Sequence, residues 1–284
     1  MKNILITGSN GYLGSKFISS YSNVFKFETF SLLTQQFEDI EFEGIDTVLH
    51  CAALVHQKKK KSFDVYNQVN TKYPSKLAAL AKQSGVKQFV FISTIAVHDD
   101  KEDYITENTI CKPSTPYGKS KYDAENLLLS MNAGDFKVSI IRVPMIYGKN
   151  APGNIASLLK LITLCPILPL GNINNKRTFI SIQNICYALS EVIKQSQDGI
   201  FLFGDNDSIS TTKLVELISE SVGRRVYLIE ALFLRNILKK IRPNIYDKLF
   251  GNLVVDSSSS QKKLKLKNPY KTNNALKLVG KTKY

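Results

Sequence analysis

The stretch TPYGKSKYDAEN, residues 115–126, places Tyr117 four residues before Lys121. In a helix that spacing is about one turn, so the two side chains share a face. A phenol beside an ammonium can move a proton. An unperturbed tyrosine titrates near about 10, and an adjacent cation favours the phenolate. Tyr117 would then be the acid/base and Lys121 the group that brings its pKa down. Tyrosine and lysine also fall four apart on ordinary surface helices, so the pair needs support from the rest of the chain. Thr115 and Pro116 read as N-cap and first residue of the helix, which puts Tyr117 in its first turn.

A second set of candidates opens the chain. ILITGSNGYLGS (4–15) sets Gly8, Gly11 and Gly14 directly after a short apolar run. Glycines between a strand and a helix let the backbone approach a pyrophosphate closely. The helix N-terminus then offers it free N–H groups and partial positive charge. The turn reads as a dinucleotide site. Cys51, Cys111, Cys165 and Cys186 form no C-x-x-C, and His50, His56 and His98 have no ligand spacing, so no metal is expected.

The elements that must position these groups follow from periodicity. NILIT (3–7), DTVLHC (46–51), QFVFIS (88–93) and KVSIIRV (137–143) read as buried strands, and FKFETFSLL (25–33) as the second strand. YLGSKFISSYS (12–22), NTKYPSKLAALAKQSG (70–85) and YGKSKYDAENLLLSM (117–131) carry apolar residues at helical spacing. Alternating β and α units imply a parallel sheet with helices on both faces. After about Pro144 the pattern loosens, with an isolated strand in GIFLFG (199–204), and a smaller second lobe is expected. The division is 1–145 and 146–284, some later segments returning to the first part.

Lys+Arg number 38 against 24 Asp+Glu, a net charge of +14 that favours anionic partners. Much of it lies in KKKK (58–61) and beyond Arg235, without the interleaved aromatics of a nucleic-acid module, so no nucleic acid is expected. LFLRNILKKIRPNIYDKLF (232–250) is basic and amphipathic. It reads first as a helix packed on the body of the protein, and its basic face would also suit an anionic membrane. The longest apolar stretch, LLKLITLCPILPLG (158–171), is broken by Lys160, Pro166 and Pro169, so no spanning helix is expected. MKNILITGSNG holds no signal-like apolar region, which points to the cytoplasm.

The glycine turn, VLHCAA (48–53), VNTKYPSKLAALAKQSGVKQFVFIST (69–94), PYGKSK (116–121), IIRVPMIYG (140–148) and NKRTFISIQN (175–184) occur in an order that resembles the extended short-chain dehydrogenase/reductase family, the NAD-dependent nucleotide-sugar epimerases and dehydratases. The resemblance implies a Rossmann-type, doubly wound α/β sheet with a smaller C-terminal substrate-binding lobe, and a homodimer. It assigns catalysis to Thr94, Tyr117 and Lys121. Cofactor contacts would come from Gly8, Asn10, Gly11, Tyr12, Leu13, Gly14, Ala52, Ala53, Asn70, Ser93 and Pro144, with Tyr117 and Lys121 beside the nicotinamide. Tyr147, Asn154 and Arg177 would join Thr94 around a nucleotide diphosphate sugar, UDP-linked by the same resemblance.

A 4,6-dehydratase would need a carboxylate next to Thr94, where this chain has Ile95 and Ala96. A 4-epimerase and a 4-keto reductase remain. AALVHQ (52–57) and GNLVVDSSSS (251–260) are most similar to the branch containing UDP-N-acetylquinovosamine dehydrogenases, which reduce a 4-keto-6-deoxy-hexosamine nucleotide for surface polysaccharide. That branch also holds UDP-glucose 4-epimerases. NAD and NADP both stay open, because Glu28 falls in mid-strand and Ser31 and Leu32 at the strand end are neither acidic nor basic. Only eleven residues separate Thr34 from Asp46, which thins the adenine side. A nucleotide-binding scaffold or sensor without turnover is the alternative of another class, and the complete Thr94, Tyr117, Lys121 set argues against it.

Overall fold

The computed structural model describes residues 1–31, 33–55 and 62–280. Leu32, His56 and the lysine run at 58–61 lie outside them.

Six strands form one wholly parallel sheet. Across the sheet they run Gly199–Leu202, Lys137–Val143, Gln88–Thr94, Thr47–His50, Asn3–Thr7, Lys26–Phe30. The inner strands are rich in β-branched or aromatic residues, as burial on both faces demands, whereas the edge strand Lys26–Phe30 is mostly exposed. The pleat sends alternate residues to opposite sides. Ile4, Ile6, Leu49, Val90 and Ile141 meet the helices Tyr12–Tyr21 and Ile182–Lys194 on one face. Leu5, Val48, Phe89, Phe91 and Ile140 meet Tyr73–Gln83 and Pro116–Leu129 on the other.

The first strand pairs with the second on one side and with Thr47–His50 on the other. That reversal opens a crevice at the carboxyl ends of Asn3–Thr7 and Thr47–His50, where open α/β sheets bind ligands. Gly8 and Ala52 stand in it. Among the described residues between Lys26–Phe30 and Thr47–His50 the chain makes only a 3₁₀ turn, Phe37–Asp39, and no crossover helix.

A second core gathers around Ile155 and Ile162 of the helix Asn154–Leu164 and Leu214, Val215 and Ile218 of Thr211–Ser221. The 232–250 segment departs from the packed helix expected of it. It forms two helices, Leu232–Ile241 and Pro243–Phe250, because Pro243 cannot continue the first and Arg242 is pushed out of helical geometry (φ −138°, ψ 63°). The pair holds together through the Arg235 guanidinium, 5.9 Å from the Tyr246 ring centre and 5.5 Å from that of Phe250. Leu249 and Phe250 reach the second core, and no described side chain of the pair is buried. No helix among the described residues is long and apolar enough to cross a membrane.

Candidate active site

Gly8 holds φ +71°, and a Cβ there would lie 2.7 Å from the Ala52 backbone nitrogen. Only glycine satisfies both the left-handed backbone and the close approach. Gly11 N–H returns to the Gly8 carbonyl at 2.9 Å, and Gly11 then caps the helix Tyr12–Tyr21 without any side-chain bond to its first turn. The first turn, with the N–H groups of Tyr12 and Leu13, has no side-chain cap, and Asn10 and Gly11 beside it are exposed. An anionic diphosphate fits this cradle by its chemistry. Ala52 and Ala53 lie half-buried at the facing strand end, and buried Pro144 follows the strand Lys137–Val143.

At the same edge, Thr94 ends its strand and Tyr117 begins its helix. Thr115 caps that helix by accepting from Gly118 N–H at 3.0 Å, with Pro116 in the first position. Gly118 lies so close to the Ala96 carbonyl that a Cβ would overlap it. The contact presses the helix onto the turn after Thr94. Thr94 Oγ1 accepts from Ala96 N–H at 3.1 Å, and its hydroxyl is hydrogen-bonded to that of Tyr117. Tyr66, on the helix Phe63–Asn67, packs edge-on against the Tyr117 ring at 6.3 Å.

Lys121 lies out of water, which its spacing from Tyr117 does not reveal. It is 1% exposed, its ammonium 3.7 Å above the Phe91 ring centre. Burial lowers its pKa to about 7, against the raising pull of Glu125 and Cys51. Tyr117 moves opposite to the sequence expectation: burial pushes its phenol up to about 12, while the Thr94 hydroxyl pulls it down. Desolvation of the phenolate outweighs what the pair contributes by itself.

Sequence reasoning missed the group that anchors these residues. Arg142 Nη2 meets Glu125 Oε2 at 2.6 Å with both side chains buried, and Arg142 Nε contacts both carboxylate oxygens at 3.2 Å. The Ser93 hydroxyl donates to the same carboxylate. The hint was present in the chain: Glu125 follows Lys121 by four residues on the Tyr117 face. His50 was read only as a non-ligand. Its Nδ1 is 2.8 Å from Thr7 Oγ1, its ring lies against Phe89 and Phe91, and burial lowers its pKa to about 3.

Several assignments change. The Ser93 hydroxyl gives its proton to Glu125, which leaves it only an acceptor towards a cofactor. Asn70 acts on the backbone instead: its amide accepts from Leu54 N–H at 2.8 Å and donates to Leu54 O at 2.9 Å and Ser120 Oγ at 3.1 Å. It ties the loop after Thr47–His50 to the Tyr117 helix from a π-helical turn, Gln68–Lys72. Tyr147 faces no substrate cleft. It is 0% exposed, donating to Asp205 Oδ2 at 2.5 Å inside the second core. Arg177 Nη1 donates to the Asp247 and Gly251 carbonyls at 3.1 and 3.0 Å, capping the helix Pro243–Phe250. Asn154 is exposed in the first turn of its helix. The structure therefore brings Thr94, Tyr117, Lys121 and the glycine turn to one sheet edge and puts Arg177 beside the helix pair. Among the described residues no three His, Cys, Asp or Glu side chains cluster as a metal site.

A buried ammonium without a carboxylate contact is costly, so Lys121→Met is expected to stabilise the fold by about 1–4 kcal/mol near neutral pH. Its folded pKa lies below the unfolded 10.5. The gain is therefore full below about 7 and fades as pH rises towards 10.5. Thermal melts across that range check it, and an unchanged or lowered melting temperature at pH 6 refutes it.

The chain is 28% identical over 300 residues to a UDP-glucose 4-epimerase from Vibrio cholerae, with 94% of this chain and 91% of that one covered. Its fold matches UDP-glucuronic acid 4-epimerase from Bacillus cereus, solved with NAD, at a TM-score of 0.76 and 16% identity, covering 98% and 97% of the two chains. It also matches RMD from Pseudomonas aeruginosa, solved with NADPH, at 0.76 and 17% identity over 99% and 98%. The family model for NAD dependent epimerases and dehydratases matches residues 19–204, the span that carries Thr94, Tyr117 and Lys121, and the chain belongs to that family.

Proposed function

We propose that the chain is an NAD(P)-dependent oxidoreductase acting at C4 of a UDP-linked sugar, working as a 4-keto reductase, with residues 1–145 holding the cofactor and 146–284 the substrate. The observation that carries this reading is the half-buried Tyr117, its desolvated phenol held protonated and hydrogen-bonded to Thr94 at the sheet edge. Reduction of a ketone needs an acid at the carbonyl oxygen, and a phenol titrating near 12 rests in that form. When bound, the nicotinamide supplies the hydride. The glycine turn would hold its diphosphate, and Lys121 would offer donors to its ribose. Thr94 would orient the C4 oxygen, and Tyr117 would give it a proton. The missing crossover helix supports the same reading, because a thinner adenine side favours a cofactor that exchanges at each turnover.

A second reading, UDP-hexose 4-epimerase, is favoured by the likeness to the Vibrio cholerae enzyme. An epimerase keeps its cofactor through two half-reactions. Incubation with a UDP-4-keto-6-deoxy-hexosamine and reduced nicotinamide is expected to consume cofactor and sugar in equal amounts. UDP-glucose alone, with no added cofactor, is expected to stay unconverted. Formation of UDP-galactose in that second mixture selects the epimerase, and no turnover in either refutes both.

A further inference from the structure

The helix pair at 232–250 takes no part in this chemistry, and its surface is not one that water favours. On the first helix Phe233, Ile237 and Ile241 stand a turn apart along one face. Phe233 is 80% and Ile241 69% exposed, and Leu232 and Ile245 are exposed beside them. Ile167 and Tyr227, side by side in a short parallel bridge of the same lobe, are also exposed. Around this apolar stripe, residues 232–250 carry five Lys or Arg against one Asp. Among the described residues none of the five makes a salt bridge. Arg235 and Lys239 lie over the Tyr246 ring, whereas Lys240, Arg242 and Lys248 are exposed.

We propose that this helix pair rests on an anionic lipid bilayer. Phe233, Ile241 and Ile245 would enter the boundary between headgroups and acyl chains, with Lys240 and Lys248 against lipid phosphates. Exposed apolar side chains interleaved with unpaired cations fit such an interface on both counts. The other candidate occupants fit on one count only. A second copy meeting this face about a two-fold axis would set like charge against like. Nucleic acid would satisfy the lysines and leave Phe233 and Ile241 in water. Arg177 bonds to Asp247 and Gly251, so the second helix ends on the arginine of the candidate substrate side, and docking would hold that side at the membrane surface. The inference does not depend on which C4 reaction the site performs.

Co-sedimentation of the full chain with vesicles tests it. The protein is expected to pellet with vesicles of equal parts phosphatidylcholine and phosphatidylglycerol, to be released by high salt, and to stay in solution with phosphatidylcholine alone. Lys240→Ala with Lys248→Ala is expected to weaken vesicle binding about thirty-fold, and Phe233→Asp by about tenfold or more. Both variants should keep the wild-type melting temperature and turnover of a soluble substrate, since these side chains touch neither the core nor the catalytic set. Failure to pellet with the anionic vesicles overturns the proposal, as does undiminished pelleting by Phe233→Asp. A concentration-dependent dimer that Phe233→Asp dissolves, without vesicle binding, assigns the face to a second copy instead.

Discussion

Tyr117→Phe is expected to lower kcat by about 10²–10⁴-fold, the usual contribution of a positioned acid or base, with little change in cofactor affinity or fold. The ring keeps its packing against Tyr66 and loses only the oxygen. Thr94 keeps the Ala96 N–H as a donor to its own oxygen, so the stability cost should be no more than about 1 kcal/mol. A pH profile separates catalysis from structure. Lys121 changes charge near 7 in the free enzyme, so wild-type kcat/KM should fall as pH rises through about 7, where the ammonium is lost. That limb belongs to Lys121, and the residual activity of the Phe variant should retain it. Wild-type turnover by Tyr117→Phe would remove the phenol from the mechanism and leave the chain as a nucleotide binder.

The sheet was legible because its strands are continuous apolar runs. Lys137–Val143 has four β-branched residues in seven, and the strand has the same limits as the run that announces it. The glycine turn and the capped helix at Thr115 and Pro116 were legible for a related reason: turn and cap geometry constrain residue type locally. Depth was not legible. The spacing of Tyr117 and Lys121 fixes a shared helix face, but only the neighbouring strand decides that Lys121 lies over Phe91, out of water. The lowering expected for Tyr117 rested on the cation and on a positive nicotinamide ring; in the protein by itself desolvation of the phenol sets the opposite direction. Tyr147 misled in the same way. The family resemblance offered its hydroxyl to the substrate, but Asp205, fifty-eight residues later, accepts from it. The 232–250 stretch showed its amphipathicity, but whether its apolar side met protein depended on what surface the second core had left to offer.

Glu125→Ala should be the most destabilising of the substitutions considered, by about 3–5 kcal/mol, because it strands the Arg142 guanidinium without a counter-ion in the interior. The Ser93 hydroxyl loses its acceptor in the same step. For a chain of this size the melting temperature should drop by about 10 °C. Replacing both partners, Glu125→Met with Arg142→Leu, removes the isolated charge and should recover most of that loss. Recovery of stability should not restore activity fully. Glu125 joins the strand that ends in Thr94 to the helix that carries Tyr117 and Lys121, so apolar packing can fill the volume without holding the register. The carboxylate also raises the Lys121 pKa, and without it the pH limb of kcat/KM should move below 7 in the double variant. A shift of that limb distinguishes an electrostatic contribution from mere loss of fold. If Glu125→Ala melts like the wild type, the pair is not what fastens the catalytic helix to the sheet, and the close approach of Gly118 to Ala96 becomes the better explanation of how Tyr117 is held beside Thr94.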